Sequence, residues 1–129
     1  MPHFVVEYTD NLGAEARIAD LLTRVNRILL DQGGVFPAGG IRSRAVRLTE
    51  YAVADEAADY AFVHAVLTIG AGRPAEVQQR VGNQIFDAIK DHFADLFSHR
   101  LLALSFELGE FSEQGTWKHN NIHARFKKA

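Results

Sequence analysis

Two stretches of this chain echo each other about 60 residues apart, a spacing that suits one strand-helix-strand unit better than a solenoid module. Laying Ile41 to Tyr51 over Leu101 to Phe111 pairs Val46 with Phe106, Leu48 with Leu108, Glu50 with Glu110 and Tyr51 with Phe111, so the apolar positions keep step. Upstream of each stretch lies an alternating or apolar run, His3 to Thr9 and Ala61 to Ile69, which passes through turn residues into a helical pattern. Each half reads β-α-β. The expectation is a single α/β (α+β) domain over residues 1–129, with pseudo-repeats at about 2–51 and 61–111, and a C-terminal tail over 112–129. Ala52 to Asp59 is the acidic connector between the halves.

The first helix is expected from about Ala14 to Leu30, with Ile18, Leu21, Leu22, Val25, Ile28 and Leu29 on one face and Gly33 and Gly34 stopping it. The second is expected to take Pro74 as its first helical residue and to carry Val77, Val81, Ile85, Ile89, Phe93 and Leu96 as its stripe. A right-handed crossover in each half puts both helices on the same side of one four-stranded sheet and leaves the other side bare. The strand Ala61 to Ile69 is apolar at both parities, the pattern of a strand buried on both faces. Self-association through the bare face is the simplest cover. In the tail, Ile122, Ala124 and Phe126 alternate after an Asn120-Asn121 turn signal, which suits pairing with an edge strand of this or another subunit.

Composition narrows the function. With 129 residues, 47% hydrophobic, the chain can bury a core without staples, and its lack of cysteine excludes disulfides, thiolate metal sites and thiol catalysis. A cysteine-free chain suits the cytosol. A formal charge of -2, with no basic run beyond Lys127-Lys128, argues against nucleic acid or a membrane surface as partner. The first residues lack the charged and apolar regions of a signal peptide, and no apolar run reaches the roughly 18 residues of a membrane span.

Pro2 is the leading candidate for chemistry. A small second residue permits removal of Met1, which would leave a secondary amine at the head of a strand, its lone pair aimed by the ring. An α-amino group titrates at about 7.7–8.0, and burial beside cations lowers that value toward a neutral base at working pH. Taken alone, a second-position proline is more often inert. Arg42, at the start of a strand, and Arg73, at the cap of a helix, change the weighing, because the duplicated topology brings both toward a common rim. Guanidinium groups bind carboxylates bidentately, stabilise enolate oxygen and depress a neighbouring amine. Each arginine alone could equally be a solvated surface residue, and Arg44 and Arg47 carry no assigned role.

Other signals are weaker. Gly70-Ala71-Gly72 invites a nucleotide-loop reading, but Ala75 stands where the third glycine belongs and Pro74 removes an amide that would face phosphate. His119 and His123 have i, i+4 spacing without an acidic ligand beside them, which favours surface or structural histidines over a metal site. His64, on a doubly apolar strand, reads as a hydrogen-bonded core histidine.

Several segments, in order and at fitting separations, carry a resemblance over almost the whole chain. They are Pro2 to Asn11, Phe36 to Arg44, Asp59 to His64, Ile69 to Arg73, Leu101 to Glu107 and Asn120 to Ala124. Together they resemble the 5-carboxymethyl-2-hydroxymuconate delta-isomerase family of the tautomerase superfamily. The resemblance implies a trimer whose sheets line a central barrel, no cofactor, no metal, and a small unsaturated polycarboxylate substrate from bacterial breakdown of homoprotocatechuate. It also implies Pro2 as proton shuttle and Arg42 and Arg73 as carboxylate or carbonyl-oxygen binders. One feature departs from it: with Met1 attached, the Pro2 nitrogen is an amide without a basic lone pair. Two alternatives stand beside this reading, a non-catalytic oligomeric binder of small carboxylates and a promiscuous tautomerase of simpler 2-oxo acids such as phenylpyruvate.

Overall fold

Strand β1 (His3–Thr9) lies inside a four-stranded sheet, flanked by β2 (Arg42–Leu48) and β3 (Tyr60–Gly70), with β4 (Leu101–Phe111) beyond β3, in the order β2-β1-β3-β4. The computed structural model describes residues 1–127; Lys128, with the second half of the basic end, and Ala129 lie outside the described residues. β1 and β2 run parallel with His3 opposite Arg42, β3 and β4 run parallel with Tyr60 opposite Leu101, and β1 meets β3 antiparallel with His3 opposite Thr68. Each half is therefore a parallel β-α-β crossover, and the two halves join through one antiparallel seam.

Helix α1 (Ile18–Leu30) buries Leu21, Val25 and Leu29, while Ile18, Leu22 and Ile28 pack at the margin of the core. It starts four residues later than the periodicity predicts, because Asp10–Ala16 forms a 3-10 turn with Gly13 at φ 66° and Arg17 at φ 44°. The Arg17 guanidinium donates to the His92 carbonyl at 3.3 Å, a contact 75 residues away in sequence that local patterning does not reveal. At the other end Gly33 and Gly34, at φ 67° and 86°, turn the chain out of the helix as expected.

The second helical stripe is split. Helix α2 (Ala75–His92) breaks at Phe93, whose φ of -99° and ψ of 10° depart from helical values although its N–H still donates to the Ile89 carbonyl at 3.1 Å, and α3 (Ala94–His99) follows. Pro74, at ψ 149°, caps α2 rather than forming its first turn. Val81, Ile85, Ile89, Phe93 and Leu96 are all buried, so the stripe survives the break.

Both helices cover one sheet face, where Phe4, Val6, Val63, Ala65 and Leu67 are fully buried. Removing each larger side chain from water contributes about 1.5–3 kcal/mol. The opposite face stays open in the single chain. β3 alternates between buried and half-buried residues, with Phe62, His64, Val66 and Thr68 on the open side. The double apolarity of β3 thus coincides with a face that no helix among the described residues covers, as expected of a single chain. The core reading of His64 is corrected, since it is half-buried on that open face with Nδ1 2.7 Å from Ser105 Oγ. A buried histidine is found instead at His92, whose Nε2 lies 2.7 Å from the Ala16 carbonyl oxygen.

Among the described residues the tail forms no edge strand. Ile122–Phe126 is a 3-10 turn laid against a second such turn, Ala38–Gly40. The Asn120 side-chain amide donates to the Gly39 carbonyl at 2.9 Å, and its oxygen accepts the Ile122 N–H at 2.7 Å, an Asx turn that bends the chain where alternation would keep it straight. Glycine is required at Gly39, since a Cβ there would sit 2.7 Å from the His123 backbone nitrogen.

Candidate active site

The topology brings three chain ends to one rim. β1 begins there, β2 begins beside it in parallel, and β3 ends beside it because it runs antiparallel to β1. Pro2 is buried immediately ahead of β1, and its carbonyl oxygen accepts the Arg42 N–H at 3.2 Å. The turn after β3, with Gly72 at φ 109°, then carries Arg73 back toward the same rim.

Arg73 is held rather than solvated. Nη1 donates to the Gly70 carbonyl at 3.1 Å, Nη2 donates to the Val35 carbonyl at 3.0 Å, and the guanidinium lies 4.8 Å from the centre of the Phe36 ring. This fixes the plane of the fork and leaves its remaining N–H groups for a ligand.

A cavity of about 390 Å³ opens at this rim, lined by Met1, Gly70 and Arg73 from the body of the chain, and by Glu113, Lys118, Asn120 and His123 from the tail. The Met1 amino group is held below its ordinary value, first by burial, then by the charges of Lys118 and Arg73 and more weakly of Arg42, with Glu113 acting in the opposite direction. A larger hollow of about 840 Å³ along α2 and β4 also touches Arg73, but the amino terminus does not line it. The smaller cavity is the one where a lowered amine and two cations meet, the kind of surroundings that acid-base chemistry requires.

Of the residues singled out from sequence, the terminal segment carrying Pro2 and Arg73 converge on this cavity. Arg42 stands at its margin. Its Nη2 is 3.7 Å from Met1 Sδ and 3.3 Å from His3 Nε2, and it does not line the cavity wall. Arg44 Nη1 approaches the other ring nitrogen of His3 at 3.3 Å. Burial, then Arg42 and Arg44, hold His3 below its ordinary pKa, which keeps the imidazole neutral between two guanidinium groups.

The sequence reading missed Glu113, Lys118, Asn120 and His123. Nothing in the sequence marks Glu113 or Lys118; Asn120 enters only as part of a turn signal ahead of an alternating run, and His123 only as half of an i, i+4 histidine pair. The nucleotide-loop reading fails on geometry, because the Gly72 N–H donates to Glu110 Oε2 at 3.3 Å and a carboxylate stands where phosphate would have to lie. His119 is outside the 3-10 turn that holds His123, so the two do not share a helical face. Among the described residues, no group of three His, Asp or Glu side chains is placed to hold a metal ion, and no helix is long and apolar enough to cross a membrane.

Known proteins agree with this architecture along its length. The family described as 5-carboxymethyl-2-hydroxymuconate isomerase matches residues 2–126. The chain is 48% identical over 127 residues to the 5-carboxymethyl-2-hydroxymuconate Delta-isomerase of Escherichia coli, with 98% of this chain and 100% of that protein covered. It is similar to the crystal structure of a 5-carboxymethyl-2-hydroxymuconate isomerase from Deinococcus radiodurans R1, with a TM-score of 0.95 and 54% identity over 98% of this chain and 95% of that one. A second crystal structure, of a 5-carboxymethyl-2-hydroxymuconate delta-isomerase, matches with a TM-score of 0.89 and 33% identity over 100% of this chain and 95% of that one. With fold, rim geometry and full-length similarity in agreement, the chain belongs to the 5-carboxymethyl-2-hydroxymuconate isomerase family.

Proposed function

We propose that this isomerase ketonises 5-carboxymethyl-2-hydroxymuconate, with the secondary amine of Pro2, freed by loss of Met1, as its proton shuttle. The neutral amine takes the proton of the 2-hydroxyl, and the electron pair it leaves forms the ketone while the conjugated double bonds shift along the chain. The prolinium then returns its proton to the carbon at the far end of the conjugated system. One group acts as base and then as acid, and no proton is gained or lost overall. Arg73 stabilises the developing enolate or binds a neighbouring carboxylate through the N–H groups not committed to Gly70 and Val35. Arg42 serves from the margin.

The observation that carries this reading is the convergence of a half-buried amino terminus and two cations, Arg73 and Lys118, on one cavity. Pro2 directly follows the amine whose value is lowered, so loss of Met1 would leave its nitrogen next to the same cations. Met1 currently fills part of the cavity mouth, close enough that a Cβ on Gly40 would meet its Cγ at 2.9 Å.

The same reading includes a homotrimer closed through the open sheet face, supported by the half-buried apolar residues Val5, Phe62 and Val66 that no element of this chain covers. It also includes a cytosolic setting in homoprotocatechuate breakdown, in keeping with a cysteine-free chain.

Two preparations test the reading, one beginning at Pro2 and one retaining Met1, with the terminus of each defined by intact mass. Rapid ketonisation is expected from the first and background rate from the second, at equal helical content. Equal rates would sink the proposal. Binding without turnover by the first would favour a non-catalytic carboxylate binder.

A further inference from the structure

We propose that Lys118 is a specificity-determining residue, binding the substrate carboxylate farthest from the reacting enol and so selecting polycarboxylates over simple 2-oxo acid enols. This deepens the assignment of the amine cavity and rests on it. Lys118 shares that cavity with Met1 and Arg73, yet comes from the tail and not from the body of the chain. Its ammonium lies 3.1 Å from Glu113 Oε2 and 5.8 Å from the centre of the Phe111 ring, and its side chain is 35% exposed, so the charge is within reach of a ligand.

The tail is built to hold this lysine in place. On one side a tight turn closes over Ser112, whose carbonyl oxygen accepts the Thr116 hydroxyl at 2.7 Å and the Gly115 N–H at 3.2 Å. On the other, Asn120 is bonded to Gly39 at 2.9 Å, and the Ile122–Phe126 turn packs on Ala38–Gly40. Lys118 therefore sits on a short strap anchored at both ends, which keeps the backbone still while the four-carbon stem swings.

Charge arithmetic on the cavity wall points the same way. Muconate carries two carboxylates and the carboxymethyl substituent a third, whereas Arg73 already spends two of its donors on backbone carbonyls. A trianion needs a further cation besides Arg73, and among the described residues Lys118 is the other lysine or arginine that lines the cavity. Lysine suits the task because a compact charge on a flexible stem can leave Glu113 for a substrate carboxylate without the planar match that a guanidinium requires. Glu113 holds the ammonium at 3.1 Å, and its own negative charge sets a cost on ligands that cannot displace it.

The test compares wild type, Lys118→Met and Lys118→Arg on two substrates, 5-carboxymethyl-2-hydroxymuconate and the monocarboxylate enol of phenylpyruvate. Assays are run at a pH above the amine's titration, since losing this cation also raises the amine. Lys118→Met is expected to raise KM for the polycarboxylate about 10- to 100-fold, as for a lost charge-assisted hydrogen bond, and to shrink the ratio of kcat/KM between the two substrates at least tenfold. Lys118→Arg is expected to recover most of that ratio. An equal loss on both substrates, or no loss on either, would overturn the proposal, provided thermal unfolding shows both variants folded. Pro2→Ala, measured in parallel, should depress kcat for both substrates; if it does not, the proton-shuttle reading fails while the Lys118 substrate ratio still reads separately.

Discussion

Replacing Pro2 with alanine is expected to lower kcat for 5-carboxymethyl-2-hydroxymuconate by at least about 10²-fold, toward the 10⁴-fold that general acid-base catalysis can supply. Loss of Met1 still exposes an amine in the variant, so the loss measures what the proline ring adds, a lone pair held in one direction and a secondary amine of higher basicity. A primary amine rotates about its Cα and spends part of its time aimed away from the substrate. Stability should barely change, by less than about 1 kcal/mol. Phe4 and Val6, both fully buried, hold β1 in place from the following positions. Steady-state kinetics, with thermal unfolding as control, check both expectations. An undiminished kcat would place the base elsewhere.

Arg73→Ala should cost about 10²- to 10³-fold in kcat/KM, the range for removing one preorganised donor at a developing oxyanion. Here a stability loss of about 1–3 kcal/mol is also expected. The guanidinium satisfies the Gly70 and Val35 carbonyls and covers the Phe36 ring, and alanine leaves those half-buried acceptors to compete for water. The two effects separate on measurement. Rates taken well below the unfolding midpoint report the site, whereas urea titration reports the fold. Arg73→Lys keeps the charge but not the fork, and should recover less than half of the lost transition-state stabilisation. Full recovery by lysine would mean that charge alone, without bidentate geometry, is what the site uses.

What was legible in the sequence is what local pattern or chain order encodes. The duplication of Val46, Leu48 and Glu50 at Phe106, Leu108 and Glu110 implied two β-α-β crossovers, and crossover handedness then placed both helices on one sheet face. Pro2 and Arg73 could be named because each sits at an element boundary that this topology brings to the rim. Arg42 obeyed the same reasoning for its backbone, which pairs opposite His3, but its side chain lies at the margin of the cavity. Topology positions Cα atoms, whereas side-chain direction depends on neighbours such as His3 and Met1.

The rest depends on contacts distant in sequence. The late start of α1 belongs with the Arg17 bond to His92, and with Asn11, whose side-chain amide donates to the Tyr60 carbonyl at 2.7 Å. The tail misled because Ile122, Ala124 and Phe126 alternate like a strand, while Asn120 spends its amide on Gly39, 81 residues earlier. Glu113, Lys118 and His123 line the cavity together with Asn120, whose fold-back bond is set by a residue far away in sequence, which is why the only spacing in the tail, His119 to His123, points to a metal pair and not to this cavity.

The central claim is that this cavity tunes the terminal nitrogen of Pro2 into a base. Nitrogen-15 NMR titration of chain labelled in proline and beginning at Pro2, folded and in denaturant, measures this directly. The folded amine should titrate below the denatured one, because burial and the charges of Lys118 and Arg73 disfavour its protonated form, as they do for the amino group of Met1. The rising limb of kcat/KM against pH should follow the same lowered value, since the deprotonated amine is the active form. A folded Pro2 amine that titrates at or above its denatured value would contradict the account.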